Sequence, residues 1–316
     1  VVAPDLAVTR FGTEGVVLDL ASGSFFRVNE AGATACELLA SAGTSDAAAV
    51  ELARRYGIAP GDAARDLASV LASLARPREG RSSLAFTRDL TLTLGGEPVL
   101  ALAGGEARLL RAVADPAATL GLALPHLLAL AGRELLHASA VAQGGVVTAF
   151  LGPSGAGKTT LARLLAEERG ATLVSSDLLP LVPGGATHVA TAGEAAIHAF
   201  CAEQGPALAR GPVATAALPK LPALDSPASP LAAIVVLDAA RRGGATIETE
   251  PLDGASALVA LLENGFAELG RRDVWLALLA TSRSLVARVP VLRARVPEGV
   301  AALRVAARGY RWTSAS

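Results

Sequence analysis

Lysine is nearly missing from this chain. Among its 28 basic residues only Lys158 and Lys220 are lysines, and arginine serves wherever else a cation stands. Methionine is absent altogether, and with the weight of Ala, Gly and Arg this reads as the base composition of the gene rather than as chemistry. The two cysteines, Cys36 and Cys201, lie far apart without a C-x-x-C pair or a Cys/His grouping. That excludes a disulfide framework and a zinc site and leaves both as expected small buried hydrophobes. Aromatics make up 3% of the 316 residues, and a formal net charge of −1 leaves no basic stripe, so nucleic acid is excluded as an expected partner. Long apolar runs are lacking too. Hydrophobic content of 52% is inflated by alanine, and the most apolar stretch, residues 117–131, is interrupted by Pro125 and His126. It falls short of the roughly 20 residues that span a bilayer. Residues 1–10 have neither the basic start nor the apolar core of a signal peptide, so the expectation is a cytoplasmic protein with no membrane partner.

What the chain does have is a loop. Gly152-Pro153-Ser154-Gly155-Ala156-Gly157-Lys158-Thr159 fits G-x-x-x-x-G-K-[ST], preceded by an apolar run at 146–151 and followed by Leu161, Leu164 and Leu165 at helical spacing. Successive backbone N–H groups in such a loop converge on a polyphosphate, the helix that follows adds the positive end of its dipole, and glycines permit the close approach. Lys158 is then expected at the terminal phosphates and Thr159 at a magnesium ion, with Gly152, Ser154, Gly155, Ala156, Gly157 and Thr160 completing the nucleotide cradle. One of only two lysines sits where the loop demands lysine. The plain alternative is a Gly-rich turn joining a strand to a helix.

The length allows two domains or one large one. Residues 5–76 read as strands followed by helices. Apolar runs at 16–20 and 25–28 flank Ala21-Ser22-Gly23-Ser24, a hairpin signal, and three helical stretches follow. These run over 31–40, from a cap at Thr44 or Ser45 to Gly57, and from Pro60 onward with Leu67, Val70, Leu71 and Leu74 on one face. The polar, turn-rich stretch 76–81 is the expected linker, dividing the chain at 1–78 and 79–316. Beyond it, short strands are expected at 91–94 and 99–103, then at 172–175 and 233–237, with 246–249 as an antiparallel neighbour of the last. Residues 180–230 show recurrent Pro and Gly without periodicity and are expected to be long loops around the site.

The order Val17-Leu18-Asp19, Gly23-Ser24-Phe25-Phe26, Val28-Asn29, Gly32 and three helices resembles the PqqD-like domain, the peptide-recognition element of pathways that modify ribosomally made peptides. The resemblance implies a leader peptide added as an extra strand along residues 24–28 and lying against the third helix. Phe25, Phe26, Val28, Leu67, Val70 and Leu71 would then line its site. A winged-helix-like domain using the same residues only as core is the alternative.

Three further features, His137 within Leu136-His137-Ala138-Ser139-Ala140, the strand into the loop, and Leu173-Val174-Ser175-Ser176-Asp177, together resemble HPr kinase/phosphorylase. They are closer still to HPr-kinase-like proteins fused to PqqD-like domains. The implied fold class is α/β: a P-loop, HPr-kinase-like (PEP-carboxykinase-like) nucleotide-binding domain preceded by a small winged-helix-like α+β domain. That family pattern carries two adjacent aspartates, one near the reacting phosphate as base and one near the metal. Here the pair reads Ser176-Asp177, and by count from Gly170 Asp177 takes the second place. The resemblance makes Asp177, His137 and Lys158 the catalytic candidates and Thr159 and Asp177 the magnesium ligands. Restoring a carboxylate by Ser176→Asp is expected to be tolerated. Asp238, closing the apolar run 234–237 as a Walker-B aspartate would, is the rival metal contact. His126, His188 and His198 show no ligand spacing.

The leading expectation is an ATP- and Mg2+-dependent kinase that holds a precursor peptide through its N-terminal domain and phosphorylates a Ser or Thr hydroxyl on it. Separate recognition raises the acceptor's effective concentration at the active site. The alternatives are a small-molecule kinase of the same fold and a non-catalytic adaptor that binds nucleotide and peptide. No LSGGQ-like signature of an ABC-type ATPase occurs. HPr kinases form rings, so homo-oligomerisation stays open.

Overall fold

The computed structural model describes residues 5–42, 44–74, 91–94, 97–103, 106–111, 113–130, 133–182, 187–208, 215–217, 227–238, 245–266 and 271–312. The expected linker at 76–81, Lys220 and the turn at 241–244 lie outside them.

The chain opens with a meander of three antiparallel strands, β1 (Leu6–Phe11), β2 (Glu14–Asp19) and β3 (Phe25–Asn29), in the order β1-β2-β3. Three helices follow, α1 (Glu30–Ala42), α2 (Ser45–Tyr56) and α3 (Pro60–Leu74). The α2 boundaries lie where the sequence puts them. The Thr44 side chain accepts the Ala47 N–H, and Gly57 closes the helix at φ 65°, the left-handed conformation glycine adopts without penalty. Residues alternate across this small sheet with the period of two that a strand imposes. Val17, Phe26 and Val28 face a core with Cys36, Leu39, Leu52 and Leu67 of the three helices.

Next come β4 (Thr91–Leu94), β5 (Glu97–Ala103) and β6 (Glu106–Leu109), joined by the later β13 (Thr215–Ala217) into a four-stranded sheet. Helix α4 (Pro116–Leu130) runs through Pro125. The main sheet is then built from β8 (Ser139–Gln143), β9 (Val146–Leu151), β10 (Thr172–Ser175), β14 (Ala228–Leu237), β15 (Glu248–Pro251) and β16 (Val291–Arg295), in the order β10-β8-β9-β14-β16-β15. Strands β9, β14 and β16 are parallel, and the others antiparallel to their neighbours. The short β7 (Leu135–His137) pairs with β11 (Leu178–Pro180), and β12 (His188–Ala190) pairs with the start of β14.

Helices cover both faces of this sheet, and β9 shows why. Its Val147, Ala149 and Leu151 join Leu261 and Leu285, from α7 (Gly254–Glu263) and α8 (Arg272–Arg288), on one side. Phe150 joins Leu161, Leu165, Leu303 and Ala307, from α5 (Lys158–Arg169) and α9 (Val300–Arg308), on the other. The result is a mixed α/β layer structure. Among the described residues no helix is long and apolar enough to cross a membrane. Both thiols are buried, which pushes Cys36 and Cys201 up to about 11.

Two features depart from the sequence expectation. Residues 180–230 are not all loop: α6 (Gly193–Leu208), β12 and β13 lie there, because α6 packs on α4 and takes its stability from that contact rather than from a clean amphipathic pattern. The strand at 248–251 pairs with β16, which stands between it and β14, so the two do not form the expected hairpin.

A third feature is the way the two units share a core. The face of the small sheet turned away from α1–α3 presents Val16, Leu18, Leu20 and Phe25. These residues pack with Leu258 and Leu262 of α7 and Trp275, Leu278 and Leu279 of α8.

Candidate functional site

The loop between β9 and α5 carries the site. At Gly152 the backbone has φ 134°, and a Cβ there would stand 2.7 Å from the Leu237 carbonyl oxygen, so the position tolerates glycine alone. The loop thus leans on the end of β14. His137, Ser154, Gly155, Gly157, Lys158, Thr159, Thr160 and Asp177 line a cavity of about 280 Å3. These come from β7, the loop, the start of α5 and the turn between β10 and β11. Gly152 and the buried Ala156 shape the loop from behind.

Lys158 is buried and folds back on its own loop, donating to the Gly152 carbonyl at 2.7 Å and the Pro153 carbonyl at 3.3 Å. Burial lowers its pKa below that of a free lysine, against the opposing pull of Asp177. His137 Nε2 stands 3.0 Å from Asp177 Oδ1. That hydrogen bond is the largest cause holding the Asp177 carboxyl below the ordinary aspartate value, and the charges of His137, Lys158 and His198 act in the same direction against burial. The Thr159 hydroxyl donates to the Ser176 carbonyl at 2.9 Å and lies 3.1 Å from the Ser139 hydroxyl, which bonds the same carbonyl at 2.7 Å. Donation to a carbonyl leaves the Thr159 oxygen lone pairs for a cation.

Two residues that sequence reasoning passed over hold these parts in place. The Glu194 carboxylate, in the first turn of α6, accepts the N–H groups of Ser176 (2.6 Å), Asp177 (2.8 Å) and Leu178 (3.1 Å) and the Ser176 hydroxyl (3.1 Å). Asn264, closing α7, accepts the His137 N–H on its backbone oxygen at 2.7 Å and the Gly152 N–H on Oδ1 at 3.4 Å. The acid at 194 stands in a stretch without periodicity, so nothing local marked it. His198, given no role from the sequence, lies one turn on, its Nε2 3.8 Å from Glu194.

Asp238 is placed differently. It follows β14, its N–H donates to the Ala294 carbonyl at 2.9 Å, and it is not among the residues lining the cavity.

In the N-terminal unit the expected peptide-site residues divide between two faces. Phe26, Val28, Val70 and Leu71 are partly buried against the helical core, and Leu67 is fully within it. Phe25 points the other way, 3% exposed, into the cluster with Trp275. Its side chain is therefore taken up by α7 and α8 rather than open to a peptide, because the strand's alternation sends it to the opposite face from Phe26 and Val28. Among the described residues β3 pairs only with β2, leaving its outer edge open.

Comparison with known proteins assigns the first unit. Residues 14–78 match the family model described as coenzyme PQQ synthesis protein D (PqqD), so the chain carries a PqqD-like segment that spans β2 to α3. No curated protein sequence matches the chain. Among solved structures, the Hpr(Ser) kinase/phosphatase from Coxiella burnetii is similar at 13% identity and a TM-score of 0.22, covering 55% of this chain and 93% of that one. A likeness at that score carries no argument about this chain's chemistry.

Proposed function

We propose that the chain is an ATP- and Mg2+-dependent P-loop kinase that phosphorylates a Ser or Thr hydroxyl on a precursor peptide held by its N-terminal unit, residues 1–78. The observation that carries the reading is the convergence of Lys158, Thr159, His137 and Asp177 on one cavity around a complete phosphate loop. The sequence resemblance of His137, the phosphate loop and residues 173–177 to HPr kinases supports it, and the PqqD match supports the peptide. Among the described residues β3 is an outer strand of its sheet, with Phe26, Val28, Val70 and Leu71 partly buried beside the helical core, which fits a peptide added as a fourth strand.

Phosphoryl transfer through a loose transition state depends chiefly on positioning and charge neutralisation. The acceptor oxygen attacks the γ-phosphorus, the bond to the β–γ bridging oxygen breaks, and the acceptor proton passes to Asp177. A carboxylate held below the ordinary range is a weak base, so Asp177 serves mainly by its charge and takes the proton late. Lys158 leaves the Gly152 and Pro153 carbonyls for the terminal phosphates, and His137 donates to Asp177 or to the transferred group. Thr159 and Asp177 would hold magnesium. Among the described residues no group of three or more His, Cys, Asp or Glu could hold a metal by itself. Magnesium in such sites takes one or two protein oxygens, several waters and the substrate's phosphates. When bound it neutralises charge on the β- and γ-phosphates.

The test is incubation of the full chain with ATP, Mg2+ and peptides encoded beside its gene, followed by mass spectrometry. One added phosphoryl group on a peptide hydroxyl, absent with a scrambled N-terminal segment of the peptide, is expected. A phosphorylated small molecule with untouched peptide supports the small-molecule kinase instead, and unconsumed ATP with bound peptide supports the adaptor.

A further inference from the structure

The pair Ser176–Glu194 explains the one place where the loop after β10 departs from the two-aspartate pattern. Gly193 starts α6 hard against β11: a Cβ there would lie 2.5 Å from the Pro180 side chain. That close approach delivers Glu194, 8% exposed, to the turn at 176–178. Its two oxygens take three consecutive backbone N–H groups and the Ser176 hydroxyl. Charge-assisted bonds of this kind are about twice as strong as neutral ones. The opposite side of the same peptide is fixed as well, since the Ser176 carbonyl accepts from both Ser139 and Thr159. Position 176 is thus clamped between the phosphate loop's own threonine and the carboxylate of α6, and Asp177 takes its direction toward His137 from that clamp.

We infer that Glu194 is a positioning residue for Asp177, and that it requires a hydrogen-bond donor at 176, which serine supplies and aspartate does not. An aspartate at 176 would set a second carboxylate beside a buried one, where like charges strongly disfavour joint ionisation. The expectation that Ser176→Asp is tolerated is therefore reversed. His198 Nε2 stands 3.8 Å from Glu194 and is largely exposed, and it does not replace the lost donor.

The structural half of the inference needs no nucleotide. In Glu194→Ala, amide exchange at Ser176, Asp177 and Leu178 should quicken by about tenfold or more, the loss expected when bonds to a charged acceptor are removed. Ser176→Asp should lower the melting temperature in the parent chain and lower it much less in a Glu194→Gln background, where the new amide can donate to the new carboxylate. Unchanged exchange at the three amides, or equal losses in both backgrounds, overturns the anchor. The functional half rests on the kinase reading. Glu194→Ala should weaken the Mg2+-dependent part of ATP affinity at least about tenfold, as loss of one charged contact would, while metal-free affinity stays within about twofold. Full Mg2+-dependent affinity in that variant, with exchange quickened, would show that Asp177 does not depend on the anchor. A parent chain that binds no ATP defeats the kinase reading instead, and the exchange result alone then decides the anchor.

Discussion

Lys158 starts from a position that binding has to change. Its ammonium satisfies two carbonyls of its own loop, so phosphate oxygens must outcompete Gly152 and Pro153 for it. Lys158→Ala should weaken ATP binding by roughly 10- to 100-fold, the range for hydrogen bonds to charged groups, while costing about 1–3 kcal/mol of stability, because the buried Gly152 carbonyl loses its donor. Calorimetry paired with thermal unfolding separates the two effects. Asp177 offers a test by titration. Its folded pKa is depressed chiefly by His137, so its contribution to stability is present above the ordinary aspartate value and is lost as pH falls through the lowered one. In His137→Ala the largest lowering cause is gone, and the Asp177 carboxyl should titrate at higher pH than in the parent, as carbon-13 NMR of the labelled side chain would read. The lysine and its glycines were legible in sequence because the loop's chemistry is local. Glu194 and Asn264 were not, since each acts on a turn that only tertiary folding brings near.

At the scale of elements, the strand–loop–helix of β9 and α5 and the two hairpin strands β2 and β3 follow from pattern alone, as do α1–α3. The apolar runs of the two strands, the Thr44 cap and the glycine at 57 mark them locally in the sequence. Helix α6 and the partner of β15 did not follow. The helix lacks a clean apolar stripe, and β15, exposed along its length, is held by register with β16 rather than by burial. Helix α7 is the element that joins the small sheet to the phosphate loop. Its first turn meets the small sheet through Arg27, which donates to Ser256 at 2.7 Å, and its closing Asn264 meets His137 and Gly152. Trp275 of α8 is the bulkiest residue of the shared cluster and is fully buried in it with Leu18 and Phe25. Trp275→Ala should cost about 3–5 kcal/mol in urea denaturation, the range for truncating a buried large aromatic.

For the whole molecule, a linker reading implies two domains with separate cores, yet the small sheet and α7–α8 bury one cluster together. No sequence pattern announces such an interface, because each residue in it also reads as core of its own unit. Removing residues 1–78 should therefore uncover Leu258, Leu262, Trp275, Leu278 and Leu279 and lower the melting temperature of what remains, which differential scanning calorimetry would record. Under the proposed function, a peptide on β3 would therefore sit beside this shared cluster rather than on a separately packed domain. Which carboxylate serves the nucleotide is decided most directly by paired rate measurements on Asp177→Asn and Asp238→Asn in the full chain. Asp177→Asn is expected to lose about 10²–10⁴ in phosphoryl transfer, the range for a catalytic carboxylate, while Asp238→Asn keeps nearly the parent rate. An inactive Asp238→Asn beside a nearly unaffected Asp177→Asn would contradict that expectation.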